Sequence, residues 1–514
     1  MKTLRIGAGD RRRGSAQNKS DRDRLQLCKV CDTSMGIRKQ HFGMILESMR
    51  ALWRFSQGKR RWIGYLVAVA IYALVMVVPL PGFEEAARRS LAVFGVAAFL
   101  WGTNTLPLPV TAIIILFLLP FSGAISHADT YSYFGNRAVF FILGALILAS
   151  PIMRSGLSTR IALAVVSRFG HSQRTLLASI LGLAALMSCT ISAHAVAAML
   201  FPIVLEVVRA AGGKPGGSFG LAAFLSLAWG VVIGSNTTLL GGARGPLALG
   251  ILQNTTGQSI NFLEWTIWTI PLVLVLLFVA YGLLQKMGQG EKVSLKAARR
   301  FLERRNQQLG SISRREVKTA CIMLLTIALW VFAGDAWGLD SVAFLGVSLA
   351  FLLGVAHWQE VEEDVNWGIF LMYGSAIALS AALSNTGAAA GLTQWLLGSG
   401  INWPILIFAT VVFISLAMTE FMSNAAAVAV ILPVALALAQ EYGIDPRAMS
   451  LGVVIPAGLG FMLPVSTPAI AIAVSSGYVR PLAVLRWGIW LDLIGLSLFL
   501  AMSKLYWPLV GLRW

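Results

Sequence analysis

Long apolar runs separated by short polar turns dominate the chain, and most are long enough to cross a hydrocarbon core of about 30 Å as helices. They lie near 62–80, 90–104, 107–125, 138–153, 219–240, 264–284, 319–335, 341–356, 367–383, 446–465 and 484–502. Two further apolar stretches, 173–210 and 402–440, carry a polar interruption at their middle. The interruptions are imperfect copies: SCTISAHAVAAMLFP (188–202) and TEFMSNAAAVAVILP (419–433) align Ser188, Ser192 and Pro202 with Thr419, Ser423 and Pro433. The likeness runs outward, since FILGALILASPIMRSGLSTRIALAV (141–165) parallels LMYGSAIALSAALSNTGAAAGLTQWL (371–396). Each half also has a later small-residue break, SNTTLLGGARGP at 235–246 and LPVSTPAIA at 463–471.

The pattern predicts an all-α integral membrane protein of about 11 transmembrane helices plus two re-entrant hairpins. Each half reads as scaffold helices, an amphipathic helix, a broken hairpin and a broken helix. An odd number of crossings between corresponding elements inserts the halves in opposite senses, which makes an inverted repeat. Paired interrupted helices in such a repeat point to a transport site near the midplane, where freed backbone groups face ions and substrate. A solute channel with re-entrant hairpins is the other reading of this pattern.

Composition sharpens the membrane reading: 57% of the 514 residues are hydrophobic and 12% charged, against about a quarter charged in soluble domains. The net charge of +18 is localised. Residues 1–61 hold 16 Lys and Arg against 5 acids, and residues 286–318 hold 10 against 3. Basic flanks beside spanning helices follow the positive-inside rule, which favours two cytoplasmic segments over a nucleic-acid surface. The expected organisation is a basic cytoplasmic tail (1–61), a first membrane repeat (62–285, hairpin 173–210), a basic cytoplasmic linker (286–318) and a second repeat (319–514, hairpin 402–440). The first 43 or so residues read as disordered and carry no signal peptide, and Met44 is an alternative start. The protein is expected in the cell inner membrane or plasma membrane, multi-pass, with its N-terminus cytoplasmic.

Cys28 and Cys31 form a CxxC near His41, a weak metal signal without a second pair. Cys189 and Cys321 fall in apolar helices and read as packing residues. No nucleotide loop, metal-ligand cluster or nucleophile with a base stands in a soluble segment, so no enzyme is expected.

The tip TEFMSNAAAVAVILPVA (419–435) and the break LPVSTPAIAIAVSSGYV (463–479) resemble those of the divalent anion/sodium symporter family, the dicarboxylate, citrate and sulfate carriers. The resemblance covers residues from about 60 to 508. It implies 11 transmembrane helices with two opposed re-entrant hairpins, a homodimer joined through scaffold helices, and a hairpin domain that moves as an elevator. It also implies two sodium sites with the substrate between them. The second sodium site maps to Thr419, the Met422 backbone, Asn424 and Ser466, and the first to Ser188, Ser192 and Gly241. Substrate contacts map to Ser192, His194, Gly242, Ala243, Arg244, Ser423, Asn424, Ala425, Thr467 and Pro468. Backbone carbonyls with Ser, Thr and Asn oxygens suit a hard cation such as Na+, and helix N-termini favour the anion.

The departures concentrate in the first half. Its tip reads Ser192-Ala193-His194 where the family has Ser-Asn-Thr, and its break reads Gly241-Gly242-Ala243-Arg244-Gly245 where the family has Gly-Thr-Pro-Pro-Asn. The second tip has Ala425 after Asn424, so both substrate-facing threonines are absent. Arg244 is an intramembrane cation, read either as an anion ligand or as a side chain that snorkels to the interface. His194 is read as a neutral donor, as a proton-linked group, or as a buried histidine bonded to a carbonyl. Glu420 reads as a structural member of its tip. The function expected is secondary active transport of small divalent anions or oxyanions, coupled to sodium. The rivals are an anion exchanger, a proton-linked carrier or sodium/proton antiporter of the same superfamily, and a non-transporting membrane receptor of the same fold.

Overall fold

Apolar helices bury their backbone polar groups within themselves, the requirement for any segment in lipid; a computed structural model shows how this chain meets it. The structure describes residues 62–291, 293–397 and 403–512. The 1–61 tail and the Cys28/Cys31 motif lie outside the described residues. Two units are distinguished, one ending at Val67 and one from Ala68 to Trp514. Of the first, residues 62–67 are described and begin helix α1 (Trp62–Val77).

All regular secondary structure among the described residues is helical. The first half comprises α2 (Glu85–Thr103), α3 (Leu108–Phe121), α4 (His127–Ser132), α5 (Arg137–Arg154), α6 (Leu157–Phe169), α7 (Gln173–Ser188), α8 (Ala193–Ala210), α9 (Ser218–Gly234), α10 (Arg244–Thr256) and α11 (Phe262–Met287). A linking helix, α12 (Leu295–Gln308), follows. The second half comprises α13 (Arg314–Phe332), a short α14 (Gly334–Trp337), α15 (Leu339–Leu352), α16 (Trp358–Asp364), α17 (Trp367–Asn385), α18 (Ala388–Leu397), α19 (Pro404–Phe421), α20 (Asn424–Tyr442), α21 (Pro446–Ala457), α22 (Pro468–Ser475) and α23 (Pro481–Leu505). Apart from α14, the second series repeats the first element for element.

The packing repeats as well. Helix α5 lies against α15 and α17 against α3, an exchange of equivalent partners between halves. In the same way α10 packs on α20 and α22 on α8. Each broken helix therefore supports the hairpin of the other half. Within the first half, α7 and α9 meet through small residues, and a Cβ placed on Gly234 would lie 2.3 Å from the Ala185 carbonyl oxygen.

Seven described helices of eighteen residues or more are apolar enough to cross a membrane, with five shorter apolar helices beside them. The two broken helices end differently from one another. The 219–240 run is helical only to Gly234, at the start of the expected 235–246 break, where Ser235, Asn236 and Thr238 compete for backbone groups and Gly241-Gly242 follow. The 446–465 run stops at Ala457, because Gly458, Gly460 and Pro464 do not sustain a helix. Cys321 is exposed on α13 rather than packed inside, and Cys189 sits in the first tip.

Ion pairs tie the halves together outside the apolar runs. Arg154 reaches Asp364 and Glu363 at 2.7 Å each, and Arg160 reaches Glu316 at 2.7 Å. The Arg160 guanidinium, helped by the Ser313 backbone amide, holds the Glu316 carboxyl down at about 2.

Candidate functional site

Hydrogen bonds link the two tips and two breaks into one connected polar strip. At the first tip, α7 ends at Ser188 and α8 starts after Ser192, whose hydroxyl caps nothing. The Ala193 amide instead donates to the Gly241 carbonyl at 3.1 Å, docking the tip on its own break. Thr238 donates its hydroxyl to the Cys189 carbonyl and fixes the other side of the same contact. Gly241 is packed so closely that an added Cβ would lie 2.5 Å from the Ser188 carbonyl oxygen. The Ser188 hydroxyl is buried and has no hydrogen-bond partner.

Arg244 opens α10 and is the centre of the path. Its side chain is 5% exposed, so the guanidinium lies inside the protein and does not snorkel. Nη2 donates to Asn236 Oδ1 at 2.7 Å and to Ser235 Oγ at 3.2 Å. Asn236 in turn donates through Nδ2 to the Gly458 carbonyl at 3.3 Å, crossing from the first break to the second. A Cβ on Gly458 would fall 2.3 Å from Arg244 Nη2, so only glycine leaves the guanidinium its place. Tyr373 of α17 is fully buried and near enough to interact with the Arg244 charge. Arg244 Nε and the Tyr373 hydroxyl both lack hydrogen-bond partners. Two buried donors without acceptors, one of them cationic, make a local demand for an anion.

The second tip is built differently. Met422 is extended, and the Ser423 hydroxyl caps α20 by accepting from the Ala426 amide at 3.3 Å. Thr419 Oγ1 lies 2.9 Å from Asn424 Oδ1 and 2.8 Å from the Ala457 carbonyl oxygen. One hydroxyl proton cannot serve both acceptors, which leaves a cluster of oxygen lone pairs. Three neutral oxygens with one proton among them fit a hard monovalent cation such as Na+. The adjacent Glu420 accepts the Met462 and Leu463 amides at 3.1 and 2.8 Å, anchoring α19 to the second break.

The path brings together Ser188, Ser192, Gly241 and Arg244 from the first half with Thr419 and Asn424 from the second. Gly242 and Ala243 border Arg244 and are half-buried. Met422 is buried, and Ser423 and Ala425 are half-buried at the second tip. The Ser466 hydroxyl is engaged within its own break, donating to the Leu463 carbonyl at 2.7 Å. Thr467 accepts from the Ile470 amide at the start of α22, and Pro468 is exposed. His194 is exposed, which sets aside its reading as a buried histidine held by a carbonyl.

The sequence reading did not name Ser235, Asn236, Tyr373, the Ala457 carbonyl or Gly458 as site residues. Ser235 and Asn236 had a signal, the SNTT run inside an already suspicious break. Tyr373, the Ala457 carbonyl and Gly458 join residues far apart in the chain and leave no local mark.

The model of the sodium:sulfate symporter transmembrane region matches residues 59–513. The chain belongs to this family. A sodium-dependent dicarboxylate transporter, SdcS, of Staphylococcus saprophyticus is 26% identical over 466 residues, covering 84% of this chain and 90% of that protein. SdcS of Staphylococcus aureus is 25% identical over 93% of this chain and 98% of its own length. Among solved structures, Neisseria gonorrhoeae MtrF, described as illuminating a class of antimetabolite efflux pumps, superposes with a TM-score of 0.56 at 14% identity, over 78% of this chain and 95% of its own. The Alcanivorax borkumensis YdaH transporter gives 0.50 at 14% identity, over 83% and 99%. These two likenesses show the fold. The family member described here is a multi-pass membrane transporter and not an enzyme.

Proposed function

We propose that the protein is a sodium-coupled carrier of small divalent anions or oxyanions, of the dicarboxylate, citrate or sulfate class. One observation carries the anion assignment: the buried Arg244 guanidinium and Tyr373 hydroxyl present unmatched donors where the two breaks meet. The Thr419, Asn424 and Ala457 oxygens support a sodium site at the second tip. The first tip supports a weaker one, since Ser188 and Ser192 offer hydroxyls and Gly241 a carbonyl, with no amide side chain. Arg244 supplies in fixed form the positive charge that a first-site sodium would bring. Moving the anion with compensating charge lowers the cost of taking it out of water.

The sodium-dependent dicarboxylate transport named for SdcS supports both the substrate class and the coupling. In this reading the tips and breaks move together as an elevator domain, and the two helix–break–helix segments are re-entrant hairpins of an inverted repeat. The 286–318 linker and the 1–61 tail are cytoplasmic in a cell inner or plasma membrane, and the protein is a homodimer. Uptake of labelled succinate, citrate and sulfate into proteoliposomes tests the proposal, with a sodium gradient, a proton gradient or internal anion as alternative drivers. Sodium-driven uptake of at least one anion is expected, and no uptake under any driver refutes the assignment.

A further inference from the structure

The last carbonyls of a helix have no partner in a following turn and must find one elsewhere. At the end of α21 two consecutive carbonyls are met by side chains from opposite directions. That of Ala457 accepts the Thr419 hydroxyl at 2.8 Å, and that of Gly458 accepts Asn236 Nδ2 at 3.3 Å. The first bond belongs to the oxygen cluster of the second tip, and the second leads to Arg244. Adjacent peptide units of one chain therefore stand between the candidate cation site and the candidate anion site.

Asn236 is buried, and its side-chain amide is committed at both ends. Besides Gly458, Nδ2 donates to the Val232 carbonyl at 3.0 Å, one turn back, while Oδ1 accepts from Arg244 Nη2 at 2.7 Å. Reversing the amide would set its NH2 group against the guanidinium, donor facing donor, so these bonds fix its orientation. The backbone beneath is also held from α11. Trp265 Nε1 donates to the Asn236 carbonyl at 3.2 Å and the Thr269 hydroxyl to the Thr237 carbonyl at 3.1 Å. The far end of the bridge is a glycine, Gly458 at φ −92° and ψ 0°, with no side chain to restrict the peptide planes on either side of it.

We propose, resting on the sodium-coupled reading above, that Asn236 is a positioning residue that couples cation binding at the second tip to anion binding at Arg244. A cation among the Thr419, Asn424 and Ala457 oxygens draws the Ala457 carbonyl toward itself. The peptide plane that Ala457 shares with Gly458 tilts, and the Gly458 carbonyl held by Asn236 shifts with it. Asn236 is fixed at its backbone, so only its amide follows, and Oδ1 sets the guanidinium for the anion. Anion binding acts back along the same bonds, because linkage between two sites is reciprocal. Proximity alone does not couple sites; the transmitting element here is a peptide unit with two tilts, of which both ligands favour the same one.

The test is the ratio of anion half-saturation at low and at saturating sodium, measured on the full chain in proteoliposomes with labelled succinate, citrate and sulfate. Such a ratio is independent of how much folded protein is present, so a purely structural role for Asn236 leaves it unchanged. In the native chain sodium should tighten at least one anion by about fivefold or more, the lower end of ordinary coupling between sites. Asn236→Ala should bring the ratio to within about twofold of unity, with uptake persisting at higher anion concentration. Asn236→Ser is the second variant: its hydroxyl can bond the Val232 carbonyl and support the helix end, but it is too short to bridge Arg244 and Gly458. The same collapse of the ratio is expected. A native ratio in either variant overturns the coupling role and leaves sodium-driven transport standing. No sodium effect on any of the three anions in the native chain overturns the sodium-coupled reading, and the coupling role with it.

Discussion

The two halves share one order of helices, yet their central breaks solve the same electrostatic problem with different materials. The second half gathers neutral oxygens: the Thr419 hydroxyl, the Asn424 amide and the Ala457 carbonyl lie within hydrogen-bond distance around one proton. The first half leaves the Ser188 hydroxyl alone and inserts a permanent cation, Arg244, that spans the gap to Gly458 of the second half. A mobile cation can leave with each cycle, whereas a fixed one remains in the empty carrier. If the second tip holds sodium as proposed, duplication preserved the frame and divided the chemistry, with exchangeable charge in one half and built-in charge in the other.

The comparison breaks most decisively at Arg244. Arg244→Ala should weaken anion uptake about 10–100-fold, the loss expected for hydrogen bonds to a charged group worth about 1.5–3 kcal/mol. The apparent affinity for sodium should change much less. If labelled-anion uptake keeps its half-saturation in the variant, the fixed charge takes no part in substrate binding.

Next comes the cation side. Asn424→Ala and Thr419→Val should each raise the sodium concentration for half-maximal uptake by about tenfold, while Ser188→Ala shifts it by less than about twofold, as loss of a neutral hydrogen-bonding group in a weak site would. Equal shifts in the two halves would remove the asymmetry. Sodium titrations of uptake supply both numbers.

Gly458→Ala sharpens the link between halves. Its Cβ would press on Arg244 Nη2 at 2.3 Å and displace the guanidinium from Asn236. Anion affinity should fall by about three- to tenfold, the equivalent of one weakened hydrogen bond of about 1 kcal/mol. An unchanged affinity would show that Arg244 tolerates repositioning.

Much of this was legible in the chain. The tips announced themselves because Ser188, Ser192 and Pro202 recur as Thr419, Ser423 and Pro433, a local pattern readable without a structure. Arg244 stood out for a similar reason, being a charge amid glycines in an apolar stretch. Its surroundings were not legible, because Asn236 meets Gly458 and Arg244 meets Tyr373 only through tertiary packing. Backbone carbonyls such as that of Ala457 carry no sequence signature at all. The end of α21 was misjudged because the apolar run continues past the point where Gly458 and Gly460 stop the helix. Exposure of His194 likewise follows from how α8 is turned, which its own spacing does not fix.

The smallest effect concerns the frame that both halves share. Glu316 is held near 2 by Arg160, below its ordinary 4.5. A depressed carboxyl contributes stability that is present above its unfolded value and lost as pH falls through the folded one. Thermal stability should therefore decline between about 4.5 and about 2, with a shallower decline in Glu316→Gln. Unfolding scans in detergent across that range check it, and parallel curves would assign the acid loss to other groups.

The most direct test of the division of charge is the sodium activation of anion uptake in proteoliposomes, measured side by side for the native chain, Asn424→Ala and Ser188→Ala. The account predicts that activation shifts to about tenfold higher sodium in Asn424→Ala and stays within about twofold in Ser188→Ala. Loss in Ser188→Ala with retention in Asn424→Ala would contradict it.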